Sequence, residues 1–345
     1  MQVSKETPEY SVQPPYLLFL GDVTDIADSK TAAGIKQWRG ELCGGQLRLP
    51  GCTVDLGLPN LTAAQAAERG IKTMIIGIAN DGGFIADNWV TSIIGALEAG
   101  LDVASGLHER LDTVPAIAAA AKRTGRQLIE VRQPENNFKP GSGRKRSGKR
   151  LLTVGTDCAV GKKYTALAIE KELRKRGVKA DFRATGQTGI FISGRGVAID
   201  SVVADFISGA AEWLSPENAP DHWDVVEGQG SLFHPSYAGV TLGLVHGTQP
   251  DAMVVCHDAR RSTIMGDYNF PIPSYQACVD TYVAAARLTN PRASVVGISL
   301  NTSHIKDDRE ARMLLEATAK ETSLPCCDPI RFGVGEIVDN LLRQH

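Results

Sequence analysis

Two kinds of block alternate along the chain. Tyr16–Leu20 (YLLFL), Thr73–Ile78 (TMIIGI) and Gln127–Val131 (QLIEV) are apolar runs too short for buried helices, and they predict strands. Between them, Thr62–Arg69, Asn88–Ala99 and Val114–Arg123 carry helix-forming residues, with Asn60 or Thr62 as a cap for the first. Asp28-Ser29-Lys30-Thr31 opens a further helix. The pattern restarts near residue 151. Leu151–Val154, Ala180–Arg183, His222–Glu227, Ala252–Cys256 and Ser294–Ser299 predict strands. Lys162–Lys175, Val202–Trp213, Asp307–Thr322 and Gly335–Arg343 predict helices. Strands alternating with helices imply parallel sheets covered on both faces, an α/β class. Two domains are expected, 1–138 and 151–345. Between them, 139–150 (KPGSGRKRSGKR) reads as a flexible basic linker. Its Arg144, Lys145, Arg146, Lys149 and Arg150 offer a second reading, a clamp for a phosphorylated ligand, and a third, a nucleic-acid arm.

Charge and composition narrow the classes. The 345 residues hold 37 basic and 39 acidic side chains, a net charge of −2. No global field draws such a chain onto nucleic acid or an anionic membrane, so neither is an expected partner. Hydrophobic residues at 43% and charged residues at 22% fit a folded domain protein. No apolar run approaches the ~18 residues of a membrane helix. The opening MQVSKETPEYSVQPPY lacks a signal-peptide core, so a cytoplasmic location is expected. The seven cysteines are scattered without a CxxC pair, which argues against a cysteine metal site or a disulfide framework. Adjacent Cys326 and Cys327 read as buried apolar residues, with redox activity as the alternative. Glycine is one residue in ten, 35 in all, so its positions matter.

The most informative glycines are Gly155 and Gly161 in VGTDCAVGKKYT. Gly155-Thr156-Asp157-Cys158-Ala159-Val160-Gly161-Lys162 fits G-x-x-x-x-G-K between a predicted strand and a predicted helix. Such a loop aims successive backbone N–H groups at a phosphate, and the helix N-terminus and Lys162 add positive charge. The next position departs from the pattern: it is Lys163, where a Mg²⁺-binding Ser or Thr is usual. Thr165 does not substitute by position alone. An anion site is expected, spanning Gly155 to Lys163 and Tyr164, with no metal assigned.

Further glycine-rich turns follow other strands. Thr185-Gly186-Gln187-Thr188-Gly189 and Ser193-Gly194-Arg195-Gly196 lie past Ala180–Arg183, and Glu227-Gly228-Gln229-Gly230-Ser231 lies at the end of His222–Glu227. Open α/β sheets bind ligands at these ends. Glu227 is a candidate general base, because a poorly hydrated carboxylate titrates higher. His234 is a second candidate, and His246 and His257 each close an apolar run. Arg260 and Arg261 suit an anionic substrate group, with surface solvation the alternative. Gln187, Thr188 and Asp267 join them as substrate-binding candidates. In the first domain, Gly21-Asp22 and Asn80-Asp81-Gly82-Gly83 end strands without a GxGxxG signature.

The G-T-D-x-x-V-G-K loop resembles that of dethiobiotin synthetase, as does the acidic strand end at Glu227-Gly228. The Gly21-Asp22 strand end, GTDCAVGKKYTA, TGQTGIFISGRG and EGQGSLFHP, in that order, resemble a two-domain family of bacterial and archaeal proteins, the DgcN-like family. The resemblance runs over nearly the whole chain. It implies a Rossmann-like N-terminal parallel-sheet domain and a P-loop NTPase-like C-terminal domain. It also implies an acyltransferase, D-glutamate N-acetyltransferase, with acetyl-CoA as co-substrate and an acidic amino acid as acceptor. A P-loop for CoA phosphates requires no hydrolytic Mg²⁺, which suits Lys163. Under that reading Glu227 or His234 takes the amine proton, Arg260 and Arg261 hold carboxylates, and a glycine turn stabilises the oxyanion. The alternative is a Mg-nucleotide ligase or kinase, in which Asp157 and Glu227 serve the γ-phosphate. A homo-oligomer is expected on general grounds.

Overall fold

The computed structural model describes residues 10, 12–133 and 137–345. The described residues divide into two compact units. One comprises 12–133 with 186–201, the other 137–185 with 202–345. No helix among the described residues is long and apolar enough to cross a membrane.

The first unit holds a five-stranded, all-parallel sheet. Its strands are β1 (Tyr16–Gly21), β2 (Cys43–Arg48), β3 (Thr73–Ile76), β4 (Asp102–Ser105) and β5 (Leu128–Glu130), in the order β2-β1-β3-β4-β5. Its helices are α1 (Lys30–Arg39), α2 (Ala63–Glu68), α3 (Asp87–Glu98) and α4 (Pro115–Thr124). Leu17, Phe19, Met74, Ile76, Trp89, Ile93 and Ile117 form one buried core on a face of this sheet. Thr62 caps α2 with a reciprocal bond to Gln65, which fixes where that helix starts.

The second unit holds a six-stranded, all-parallel sheet, ordered β11-β10-β9-β6-β8-β7. These strands are β6 (Lys149–Gly155), β7 (Ala180–Arg183), β8 (Trp223–Val226), β9 (Ala252–Asp258), β10 (Ser294–Asn301) and β11 (Cys326–Cys327). The helices are α5 (Lys162–Lys175), α7 (Ile207–Leu214), α8 (Ala238–Thr248), α9 (Tyr275–Arg287), α10 (Asp308–Thr322) and α11 (Gly335–Gln344); α6 (Gln187–Ser193) belongs to the first unit. In α5, Thr165, Ile169 and Leu173 recur every fourth residue and form the buried stripe. Gly177, at φ +77°, follows it in the left-handed region. Central β6 and β9 are buried almost throughout, because helices cover both faces of the sheet.

Two expectations change here. Gln187 and Thr188 are not in a turn; they open helix α6. That helix packs on α1 within the first unit, where the Thr188 and Thr31 hydroxyls bond at 3.1 Å and Arg39 donates to the Ile192 carbonyl at 2.9 Å. The segment 186–201 thus leaves the span read as the second domain. Further along it, Asp200 pairs with buried Arg132, which also donates to the Gly106 carbonyl at 2.9 Å.

The basic stretch is packed against the second unit rather than a free linker, and four of its five cations already have partners there. Lys149 and Arg150 already belong to β6, and Arg150 is wholly buried. Its guanidinium gathers five backbone carbonyls, those of Arg146, Ser147, Gly148, Ser215 and Pro216, at 2.8–3.3 Å. Arg146 donates to the Gly247 carbonyl at 2.8 Å, and Lys145 pairs with Asp251 at 2.7 Å. These contacts lie at the N-terminal ends of the strands. The P-loop lies at the other end of β6, about 20 Å away at ~3.3 Å per residue. The physical reason is desolvation: a buried cation must be met by acceptors, and the chain's own carbonyls supply them.

Candidate functional site

The loop after β6 turns at Asp157 and re-enters a helix at Lys162. Thr156 keeps the sheet ladder going, its N–H donating to the Cys256 carbonyl at 3.0 Å. Ala159 at φ +52° and Gly161 at φ +99° are both left-handed, with ordinary residues between and after them. This alternation points neighbouring backbone N–H groups into one concavity, and the first turn of α5 adds N–H groups without intrahelical acceptors. Gly155 has no room for a side chain, since a Cβ there would meet Val160 Cγ2 at 2.7 Å. Gly228 crosses still closer: a Cβ would sit 1.7 Å from the Thr153 carbonyl oxygen. Its N–H donates to the Thr153 hydroxyl at 3.0 Å, and the stem of Lys162 lies over it.

Lys162 is buried, and its Nζ donates to the Asp157 carbonyl at 2.7 Å. Burial lowers its pKa, against weaker upward pulls from Cys158, Cys256 and Asp157. A phosphate at the loop would add counter-charge to this desolvated ammonium. Lys163 lies over the Tyr164 ring at 4.6 Å. Thr165 points into the core, bonding Ser299 Oγ at 2.7 Å and donating to the Gly161 carbonyl at 3.1 Å. The Thr165 hydroxyl is thus engaged in the core, and the position after Lys162, where a P-loop carries its Mg²⁺-binding hydroxyl, holds Lys163.

Asp157 is fully buried and saturated. One carboxylate oxygen accepts from the Cys158 N–H at 2.7 Å. The other accepts from Arg261 at 2.6 Å and from the Met265 N–H at 2.8 Å. Arg261 also donates to the Cys158 carbonyl at 2.7 Å. Arg261 thus ties the P-loop to the segment after β9. Arg260 is bidentate to Asp258, at 3.0 and 2.6 Å, with its side chain more than half exposed. Asp258 itself is pulled up by burial, but the Arg260 bonds prevail and lower its pKa. Asp267 is exposed on the same segment.

Glu227 follows β8 directly and is buried. Its Oε2 accepts from the Thr185 N–H at 3.0 Å, and its carbonyl accepts from the Thr185 hydroxyl at 2.7 Å. Gln229 donates to that hydroxyl at 3.1 Å. The pKa of Tyr164 is raised by burial and by the nearby Glu227 charge. His234 is buried with both ring nitrogens engaged: Nδ1 accepts from the Ser236 N–H at 3.1 Å, and Nε2 faces the Met265 carbonyl at 3.1 Å. Those partners require the proton on Nε2. A carboxylate oxygen of Asp157, the Cys158 sulfur and a His234 nitrogen lie within 4.8 Å of one another. His257 ends β9's apolar run and bonds the Thr156 hydroxyl at 2.9 Å, its pKa lowered by burial. His246 is elsewhere, in the last turn of α8 at the opposite strand ends.

Asp157 and Cys158 therefore lie in the P-loop, Arg261 bonds it, Glu227 and His234 stand beside it, and Arg260 turns to Asp258 at the end of β9, while Gln187 and Thr188 belong to the other unit. Tyr282 was not foreseen. From α9 its hydroxyl donates to the Gly155 carbonyl at 2.8 Å and accepts from the Leu232 N–H at 3.1 Å, bracing the loop. Burial pushes its pKa up to about 12. Nothing in YVAAAR marks that tyrosine in the sequence. Cys326 and Cys327 are buried, with thiol pKa values raised by burial.

Residues 138–338 match the P-loop domain of the family described as domain of unknown function DUF1611, and residues 47–134 match that family's Rossmann-like N-terminal domain. Two relatives named D-glutamate N-acetyltransferase, from a Pseudoalteromonas species and from Tritonibacter scottomollicae, are each 48% identical over 330 residues, covering 96% of this chain and 99% of theirs. A crystal structure of a DUF1611 family protein from Anabaena variabilis aligns with a TM-score of 0.86 at 31% identity, covering 96% of this chain and all of that one. With both domains matched and the architecture shared, this chain belongs to the DUF1611 family.

Proposed function

We propose that this chain is an N-acetyltransferase that moves the acetyl group of acetyl-CoA to the amino group of D-glutamate. The observation that carries this reading is the 48% identity to two D-glutamate N-acetyltransferases across 96% of the chain. The P-loop supports it chemically. Backbone N–H groups and Lys162 suit the CoA pyrophosphate, and Lys163 replaces the hydroxyl that Mg-nucleotide chemistry needs. CoA supplies the activated acetyl group; the chain must hold it, orient the amine and take a proton.

Only a neutral amine attacks a thioester, so a base is required. Glu227 is the proposed base, its carboxylate buried at the P-loop rim. His234, with both nitrogens bonded, is proposed to position the segment that carries Met265. The Glu227 assignment requires the pantetheine arm to fold back along the loop, because the whole arm separates thioester from pyrophosphate. Arg260, exposed beside Asp258, is proposed to meet a substrate carboxylate.

The test is direct. Purified chain is given acetyl-CoA with D-glutamate or L-glutamate, and free CoA thiol and acetylated product are followed. D-glutamate-dependent thiol release with an N-acetyl product is expected. No release above background, with Mg-ATP raising the melting temperature instead, overturns the reading. Glu227→Gln is expected to lower kcat at least tenfold, about 1.4 kcal/mol, with CoA affinity retained; an unchanged kcat removes Glu227 as base.

A further inference from the structure

We infer that residues 262–270 form a fixed aromatic platform for the purine base of the acyl donor. The inference rests on the acetyl-CoA reading above. This segment is a closed flap. Thr263 bridges Pro271 in antiparallel fashion, the Ile264 N–H donates to the Phe270 carbonyl at 2.8 Å, and Ile272 N–H donates to the Ser262 carbonyl at 2.9 Å. Ile264 is buried and anchors its base.

Its tip nonetheless holds its aromatic rings outward. Tyr268 and Phe270 are 40% and 53% exposed, and their planes lie within 14° of parallel at 6.3 Å. Tyr268 is held from two sides. Its hydroxyl bonds Ser236 Oγ at 2.6 Å, and the His234 ring meets it edge-on at 5.5 Å. Gly266, at φ +104°, lets that ring lie against the backbone: a Cβ there would be 2.8 Å from Tyr268 Cε2. An exposed ring fixed in this way costs little further ordering when a flat ligand lands on it.

The flap is tied to the phosphate loop. Met265 N–H and Arg261 both grip the carboxylate of Asp157, inside the P-loop. The segment that carries the platform is thus bonded to the loop that a ligand's phosphates would enter. CoA joins phosphates to a purine, so one ligand satisfies both features. A purine offers a π-face of the kind that aromatic side chains stack on.

The test is calorimetric titration of the full chain and of the Tyr268→Ala/Phe270→Ala double variant. The ligands are CoA, S-acetylpantetheine and inorganic pyrophosphate. The expected result is a loss of about tenfold or more in CoA affinity, the scale of a lost base–aromatic stack. Pyrophosphate, which reaches only the loop, is expected to keep its affinity within about twofold of the parent. An unchanged unliganded melting temperature shows that the flap change did not unfold the unit. Equal CoA affinity in parent and variant overturns the platform and leaves the acetyltransferase reading intact. Unchanged CoA affinity with a smaller particle in solution reassigns the rings to contacts between copies of this chain. A parent that binds no CoA at all overturns the acetyl-CoA reading, and the platform with it.

Discussion

Replacing Lys162 with methionine separates stability from function. Methionine keeps much of the stem over Gly228 but removes the ammonium that bonds the Asp157 carbonyl at 2.7 Å. In the free protein that ammonium is buried and its pKa is lowered by desolvation, so removing it relieves a cost while losing one bond. The free protein is expected to melt within about 1 kcal/mol of the parent, the worth of one such bond. Ligand binding behaves differently. A cation and a phosphate charge ~4 Å apart interact by about 4 kcal/mol at an effective dielectric of ~20. Releasing the Asp157 carbonyl costs about 1.5 kcal/mol of that. The net, about 2–3 kcal/mol, is a ~30- to 150-fold loss of CoA affinity. The assay is thermal denaturation with and without CoA. At a hundredfold excess over Kd, CoA stabilises the parent by about 2.7 kcal/mol, and a hundredfold weaker variant by only ~0.4 kcal/mol. For a domain of roughly 150–250 residues that is a shift of about 5–10 °C against ~1–2 °C. A Lys162→Met protein that keeps the parent's CoA-induced shift would refute the placement of CoA phosphates in this loop.

Arg150→Met is expected to cost about 3–5 kcal/mol, because it strands buried carbonyls; calorimetric CoA affinity of the folded variant should stay within about threefold, and a larger loss would revive a ligand role for the basic stretch. Tyr282→Phe should cost about 1–3 kcal/mol by orphaning the Leu232 N–H, read from urea denaturation, and should weaken pyrophosphate binding as the Gly155 strand end loosens. Glu130, in the first unit, has its pKa raised to about 7, chiefly by burial and despite the Leu111 N–H bond. A raised carboxyl pKa means that the folded state holds the proton longer, so stability is greatest below the unfolded value of ~4.5 and falls as pH rises toward 7. Glu130→Gln should flatten that slope and gain roughly 1–2 kcal/mol at pH 8, allowing for solvent screening; a parallel pH profile would contradict it.

Local pattern and tertiary packing divided the work unevenly. Apolar runs and helix-forming stretches show themselves within one window, so Ala180–Arg183 and Lys162–Lys175 stand where the sequence places them. The phosphate loop is equally local: its glycines, its lysine and the flanking strand and helix are contiguous. Elements with weak contrast escape. In β2 (CGGQLR), Gly45 exists because Leu61 packs where a Cβ would be, 2.5 Å away. In α8 (AGVTLGLVHGT), Gly247 lets the Ser208 carbonyl approach a would-be Cβ to 2.2 Å. Both glycines answer neighbours distant in the chain, so they blunt the periodicity that would reveal the element.

Sequence alone determined the α/β class, the P-loop and its departure at Lys163, where a hydroxyl is usual. Those follow from nearest neighbours and from backbone geometry that a few adjacent residues dictate. Only the tertiary structure decided what each charge is for. Arg150 reads as a linker cation until five carbonyls close around it. Arg261 reads as a substrate arginine until Asp157, more than a hundred residues earlier, takes its guanidinium. A charged side chain's role is set by what desolvates and pairs it, and that partner is chosen by the fold, not by the neighbouring sequence.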